Sequence, residues 1–581
     1  MSGLALSLAL IALTGPADAA WAEGVPFLTG IFPPGATVGR VTEWAIAGAN
    51  FSDRDRPVLS GEGVEVLGFT VKNAISATAR VRVLPGTSPG DREVRIDGPS
   101  GVSNLAVIRV DLLEQGVEVE PNDQPGQAQS IEVGDAVAGS LRPLDFDHYR
   151  VRGKPGQRVT LDLETARLGT AIAPVLTVVD TSGRAIAQAR RARGGDGECR
   201  TSIVLPPDAT CIVLVRDNTY AGDDRALYRL RVDPAPFATS LFPLGGPKGQ
   251  SLAFEVSGGS LASPLRRMIR LPDRAGTPFD PGPFALPEGL VACPGRLVAG
   301  DGPEVVEPQG EGLRPPMQVP RGTTVNGRIE QPGEVDSYRI EAKAGETIQA
   351  RVEARSLGSW LDPVLTIRDE RGTSLVESDD SSGGSFAYRV AVAGSLTIEL
   401  SDRFDDGGPA YGYRLALGPP PADFSVSLLA AGGRPAGRVV SAGVYNAAPG
   451  SSIALDFTLE SWGRPGPIEV RVEGLPPGVT AEPVSIRPPP PRPDHREADR
   501  ARATSDYLVL KIAKEARPGL SEFRIVATTM GPGPPILREA GATVPIAGFA
   551  VSGPPVTKLI SRFPLRITSG DGPAGGRQCR P

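Results

Sequence analysis

The chain repeats itself, and the repeat limits what it can fold into. Residues 145–191, DFDHYRVRGKPGQRVTLDLETARLGTAIAPVLTVVDTSGRAIAQARR, align without a gap to residues 334–380, EVDSYRIEAKAGETIQARVEARSLGSWLDPVLTIRDERGTSLVESDD. Shared positions include Asp147/Asp336, Tyr149/Tyr338, Gly156/Gly345, Leu168-Gly169/Leu357-Gly358 and a Pro-Val-Leu run at 174–176 and 363–365. After a four-residue slip the match resumes, VRDNTYAGDDRALYRL (215–230) against LSDRFDDGGPAYGYRL (400–415). A second repeat precedes each copy: FPPGATVGRVTEWAIAGANF (32–51) and FPLGGPKGQSLAFEVSGGSL (242–261). A two-module unit is therefore duplicated, and each module must close its own core.

The repeated units read as strands. VTLDLE and LTIEL alternate apolar and polar residues, and Gly and Pro sit between such runs. With 71 Gly, 59 Pro and only 5% aromatics, disorder is the competing reading, but the alternation favours short strands joined by turns. The expected fold is all-β, a tandem string of β-sandwich domains. At 581 residues several cores are needed. The expected modules are 23–112, 113–235, 236–303, 304–418 and 419–555, with a flexible tail at 556–581. The fifth module also alternates, in GPIEVRVEGLPPGVTAEPVSIRP and YLVLKIAKEARPGLSEFRIVATT, and reads as Ig-like.

Residues 1–22 read as a secretory signal, with a short apolar stretch, Leu4 to Leu13, then small residues, and cleavage after Ala19 or Ala22. No Lys or Arg precedes that stretch, a departure from the usual pattern. No later run of about 20 apolar residues is present, so the mature chain is expected to lack a membrane span and to be secreted, periplasmic or at the cell surface. Four Cys fit export. Cys199 and Cys211 bracket RTSIVLPPDAT, read as strand, Pro-Pro turn and strand, and are expected to form a cross-strand disulfide. Cys293 and Cys579 either pair with each other or stay free. The net charge of −6 carries no basic face for nucleic acid, and DHREADRAR (494–502) reads as a solvated loop.

Segments 113–235 and 304–418 resemble the bacterial pre-peptidase C-terminal (PPC) domain. The residues that carry the resemblance are EPND (120–123), the Gly139 turn, DFDHY (145–149), PGQ (155–157), the Leu-Gly to Pro-Val-Leu block (168–176), Asp180 with Gly183, and YRL (228–230); VDSY, AGE, LGSWLDPVL and YRL stand in the second copy. Residues 27–112 look like an IPT/TIG immunoglobulin-like domain, through GANF (48–51), SGEGV (60–64), SPGDREVRI (88–96) and GVSN (101–104), and 237–303 look like a divergent copy. The resemblance implies β-sandwich accessory or binding modules of exported proteins, in strings similar to those of planctomycete-type bacteria.

Catalytic constellations are not evident. The two His, His148 and His495, lie in DFDHY and in a Pro-rich charged loop; no G-x-S-x-G or H-E-x-x-H is present. Calcium needs only oxygens. In the extended run VEVEPND, Glu118, Glu120 and Asn122 share a face, and Asp123 follows at the turn. Asp145 and Asp147 alternate ahead of Tyr149. The family resemblance assigns calcium ligation to Glu118, Glu120, Asn122, Asp123, Asp145 and Asp147, whereas read alone EPND is also a good turn. In the second copy, EVVEPQGEG (304–312), sequence alignment sets Val305 against Glu118 and Glu307 against Glu120, so calcium is expected at the first copy and weakly or not at all at the second. ESDDSSGG (377–384) and DRFDDGG (402–408) read as solvated turns or loop cation sites. Trp360 and Tyr220 are candidate exposed aromatics for stacking or docking.

Three functions follow as expectations. The first is a non-enzymatic scaffold, a rigid string whose partner is a protein or polysaccharide of the envelope or extracellular matrix. The second is an accessory subunit or remnant of a secreted peptidase. The third is a hydrolase of unfamiliar design.

Overall fold

The computed structural model describes residues 24–191, 198–276, 278–308, 315–378, 385–418, 423–429, 443–462, 466–488, 502–531, 533, 535–548, 550 and 555–569. The signal segment, His495 and Cys579 therefore lie outside the described residues. Among the described residues, every regular element apart from three short 3-10 turns is a strand, and no described helix is long and apolar enough to cross a membrane.

The first module packs two antiparallel-rich sheets. One runs Phe27–Phe32, Val41–Ala49, Ser76–Val83, Val64–Asn73; the other runs Gly35–Thr37, Ala106–Asp111, Gly90–Gly98, Arg56–Leu59. Alternation along Val41–Ala49 sends Trp44 and Ile46 into the core beside Leu28 and Ile31.

The second module is a sandwich of two five-stranded sheets. The order is Glu114–Val117, Asp135–Ser140, Leu227–Asp233, Arg158–Glu164, Cys199–Val204 in one, and Gln129–Glu132, Asp147–Arg152, Thr210–Asp217, Pro174–Val179, Ala185–Arg190 in the other. The fourth module repeats this order strand for strand, from Glu304–Val306 through Ser385–Arg389 and from Met317–Gln318 through Ser374–Ser378. Duplication in sequence is thus duplication in topology. The third module is smaller, with a three-stranded sheet and two strand pairs around Phe254, Val256 and Leu297.

The fifth module differs from its expected bounds. Thr557–Ile560 pairs with Ala542–Pro545, and Phe563–Ile567 is a central strand between Tyr445–Ala447 and Gly519–Thr529. The described part of the expected tail is therefore part of a core: Phe563 and Leu565 are fully buried, which an alternating Phe-x-Leu-x-Ile pattern achieves in a strand.

The tandem modules also meet beyond their neighbours, because the fifth module folds back onto the first. Leu105 and Val107 of the first module share its core. Asn446 donates to the Val102 carbonyl at 3.1 Å and accepts from the Val102 amide at 2.8 Å. Arg566 pairs with Asp97 at 3.0 Å and Lys558 with Glu93 at 2.8 Å. Bridges join Leu105 to Ile546 and Ala171 to Ala550, and Arg274 of the third module reaches Glu539 at 3.3 Å.

The Leu-Gly pair shared by both copies has a structural reason. Each Gly ends a 3-10 turn in the left-handed region, Gly169 at φ 86° and Gly358 at φ 94°. Each also lies against another module's backbone. A Cβ on Gly169 would sit 2.4 Å from the Ala547 carbonyl oxygen, and one on Gly358 2.6 Å from that of Pro294.

Candidate metal centre

The strand Glu114–Val117 carries the chain from the first module into the second, and Glu118 continues its ladder through its amide on Ala138. Asp147 opens the strand Asp147–Arg152 on the facing sheet, and Tyr149 stands two residues on, on the same side. Tyr228 comes from Leu227–Asp233. These elements converge at one end of the sandwich.

One ligand oxygen from each of Glu118, Glu120 and Asp147 lies within 4.8 Å of the others. Glu118 Oε1 accepts from the Tyr228 hydroxyl at 2.8 Å and from Tyr149 at 3.2 Å; its Oε2 accepts from the Ser140 amide at 3.1 Å. Asp147 Oδ2 lies 2.6 Å from the Tyr228 hydroxyl, whose one proton is shared between the two carboxylates, and the two tyrosine hydroxyls bond each other. Asn122 is fully buried among these acids. In one orientation its amide nitrogen donates to Glu118 at 3.3 Å, while its oxygen faces Glu120 Oε2 and Asp147 Oδ1. Turned over, the nitrogen donates to those two oxygens at 3.2 Å each. The turned orientation is the one the hydrogen bonding favours, because it gives the two carboxylate oxygens a donor.

The electrostatics are those of uncompensated acid. Burial, and then the like charge of Glu118, pushes the Asp147 carboxyl up to about 10. Burial also raises Glu120, with Glu118, Asp145 and Asp123 adding repulsion against an amide bond from Asn122. Tyr149 and Tyr228 are raised well above the ordinary phenol value by burial and by neighbouring acids, Glu118 among them.

Of the six sequence-predicted ligands, then, Glu118, Glu120 and Asp147 converge and Asn122 stands among them. Asp145 is buried, but both its oxygens serve its own turn, accepting from the amides of Arg142 at 2.9 Å and Phe146 at 3.1 Å. Asp123 is exposed. Both act on the cluster by charge.

The second copy corrects the alignment. The Glu307 amide bonds Asn326 as the Glu118 amide bonds Ala138, and Tyr413 and Tyr338 stand where Tyr228 and Tyr149 stand. The Tyr413 hydroxyl lies 3.3 Å from Glu307 and against Asp336, its one proton shared between them. Glu307 is thus the counterpart of Glu118, not of Glu120, and the tyrosine–carboxylate core is common to both copies. The positions matching Glu120 to Asp123 begin at Gln309, outside the described residues.

The expected disulfide is not formed: Cys199 and Cys211 are free thiols. Cys199–Val204 pairs with Arg158–Glu164 in one sheet, and Thr210–Asp217 lies in the other, so the Pro-Pro turn crosses the sandwich edge instead of closing a hairpin. Both cysteines are core residues, and burial pushes each thiol up to about 12. Cys293 is also free.

His148 spends Nδ1 on backbone oxygens, Phe146 at 2.8 Å and Asn122 at 3.1 Å. Asp402 of the second acidic turn accepts from the amides of Asp362, at 2.9 Å, and Phe404, at 2.8 Å, so it works as a loop clasp. Tyr220 is exposed and lies beside Phe146 and under Arg216; Trp360 is half-buried, edge-on to Tyr411 at 6.3 Å.

A second cluster was not foreseen. Arg229 is fully buried and binds Asp111 of the first module at 2.8 Å, Glu164 at 2.9 Å and Gln115 at 2.8 Å. Arg231 binds the same Asp111 at 2.8 Å and Asp233 at 2.5 Å. In the second copy Arg414 pairs with Glu304 and Glu353. The signal was the Arg in both YRL runs, which an otherwise apolar strand does not require.

No family model matches the chain. It is 35% identical over 74 residues to a probable subtilase-type serine protease of Deinococcus radiodurans, a match covering 12% of this chain. The chain spans a tenth of that protein's length. Among solved structures, a Salmonella alpha-2-macroglobulin mutant aligns over 96% of this chain and 47% of its own, at 10% identity and TM-score 0.14. The D1–D4 ectodomain fragment of ICAM-5 aligns over 92% of this chain and 98% of its own, at 11% identity and TM-score 0.12. Likeness at this level carries no argument, and the tandem β-sandwich architecture rests on the strands themselves.

Proposed function

We propose that the protein is an exported, non-catalytic scaffold whose first inter-module junction binds calcium, with PPC-type modules in the second and fourth positions. One observation carries the reading: three carboxylates converge around a buried asparagine where the first module joins the second. Hard oxygens on a turn beside a sheet edge suit Ca²⁺, which takes about six to eight of them, with water completing the set. Glu118, Glu120, Asp147 and Asn122 would hold the ion, which would supply the positive charge that the acids lack. The partner in this reading is a protein or polysaccharide of the envelope or matrix.

Calorimetry on the intact chain tests it. One Ca²⁺ per chain is expected, with affinity reduced at least about tenfold by Asp147→Asn or Glu120→Gln, as for loss of a charged ligand. Absence of binding heat, together with a melting temperature unmoved by EDTA, would overturn it.

The match to the subtilase-type protease favours one other reading, an accessory part of a secreted peptidase system. Co-purification of a peptidase with the chain from its native envelope would support that reading; capture of non-peptidase partners alone would count against it.

A further inference from the structure

The fold-back of the fifth module encloses a cleft of about 850 Å³ lined by four modules. That volume lies within the range of ligand sites. Four cations line it: Arg167 and Arg191 from the second module, Arg296 from the third and Lys558 from the fifth. Two are already satisfied, Arg167 by Glu198 at 3.1 Å and Lys558 by Glu93 at 2.8 Å. Arg191 and Arg296 are exposed to the cleft, and neither pairs with a carboxylate among the described residues.

The acids of the wall cannot serve them. Asp91 pairs with Arg109 at 3.0 Å. Asp217 is buried, with Oδ2 accepting from the Ala173 amide at 2.7 Å and Oδ1 from the Thr219 amide at 2.8 Å. The rest of the lining is Thr219, Thr557, Pro555 and aliphatic side chains, including Ile172, Ile546 and Val556, and no aromatic ring contributes among the described residues. A sugar's apolar face finds no ring to stack on among those residues. Carboxylates alternating with small apolar side chains would find both guanidiniums and an aliphatic floor.

We propose that this cleft binds an acidic polypeptide segment, with its carboxylates on Arg191 and Arg296. Because the two arginines belong to different modules, the ligand clamps the second module to the third. The chain's net charge of −6 opposes casual binding of an anion, so recognition depends on the local pair. The inference stands apart from calcium at the junction.

The test uses the full chain and a fluorescein-labelled dodecapeptide of alternating Glu and Ala. Anisotropy is measured in EDTA, so that failure here and failure of the calcium reading are told apart. The Glu peptide is expected to bind and its Lys counterpart not to. Arg191→Glu with Arg296→Glu should weaken binding at least about tenfold, the loss of charge-assisted pairs. Lys72→Glu with Arg80→Glu, exposed on the first module away from the cleft, should leave it unchanged. Both variants replace exposed side chains, and an unshifted melting curve verifies folding. No binding of the Glu peptide, an equal loss in the control pair, or tighter binding of oligogalacturonate than of the peptide would each overturn the proposal.

Discussion

At Asp147 a buried acid carries a proton that its unfolded form gives up near the ordinary carboxylate value of 3.8, whereas the folded value stands at about 10. Between those values the folded state holds the extra proton, so this residue lowers stability as pH rises through the window. In EDTA, thermal unfolding should show that decline from about pH 4 toward pH 10, and Asp147→Asn should flatten it. Saturating Ca²⁺ should flatten it too, because the ion replaces the proton. A wild-type curve no steeper than the variant's would count against the acid cluster. Much of this site was legible at residue level, since strand alternation alone puts Glu118 and Glu120 on one face. What remained hidden was the use of each oxygen. Asp145 looks like Asp147 in sequence, yet its carboxylate closes its own turn, and only the path of the backbone decides that. The alignment of Glu307 to the wrong glutamate has a different cause: Glu-Pro stands at 120–121 in one copy and at 307–308 in the other, and matching that pair shifts the register by two residues from the one the strands adopt.

At the scale of elements, the turn at Ala166–Leu168 and its glycine act as a docking point. Gly169→Ala meets both a left-handed backbone and the Ala547 carbonyl, and should cost about 1–3 kcal/mol in unfolding experiments. An equally sized loss is expected from Gly358→Ala at the Pro294 contact. Gly372→Ala, with positive φ but nothing within 4 Å of the new Cβ, should cost less, which separates close approach from backbone strain. The sequence pattern marked these glycines as shared but could not say what they touch, because each contact is with another module, at Ala547 for Gly169 and at Pro294 for Gly358. Strand content was readable for the usual reason, period-two alternation. Pairing was not, and Cys199 and Cys211 show why: two consecutive strands look alike whether they form a hairpin or cross between sheets.

Across the whole molecule, the first two modules are joined by buried charge. Burial alone would raise the Asp111 carboxyl, but Arg231 and Arg229 outweigh it and hold it far below the ordinary range. Glu164 is held down in the same way, by Arg229 and Arg167 against its burial. Groups with depressed values stabilise above their unfolded values, here 3.8 and 4.5, and that stability is lost as pH falls below them. Asp111→Asn leaves Arg229 buried with less counter-charge and should cost about 3–5 kcal/mol, seen as earlier unfolding of the first two modules. If the variant unfolds like wild type, the junction is held elsewhere. Composition announced several domains, but a chain that meets itself is a property of surfaces far apart in sequence, and no local pattern encodes it.

That meeting of first and fifth modules has a consequence for cutting. In an open string, one broken peptide bond between modules releases two pieces. Here a cut between the second and third modules leaves the two products joined through Asn446 and Val102, Arg566 and Asp97, and the shared core at Leu105. A nicked chain should migrate as two bands under denaturing conditions and elute as one particle under native ones. Peptide-bond integrity and physical integrity are separate properties in this protein, so proteolysis can change its connectivity without dispersing its surfaces.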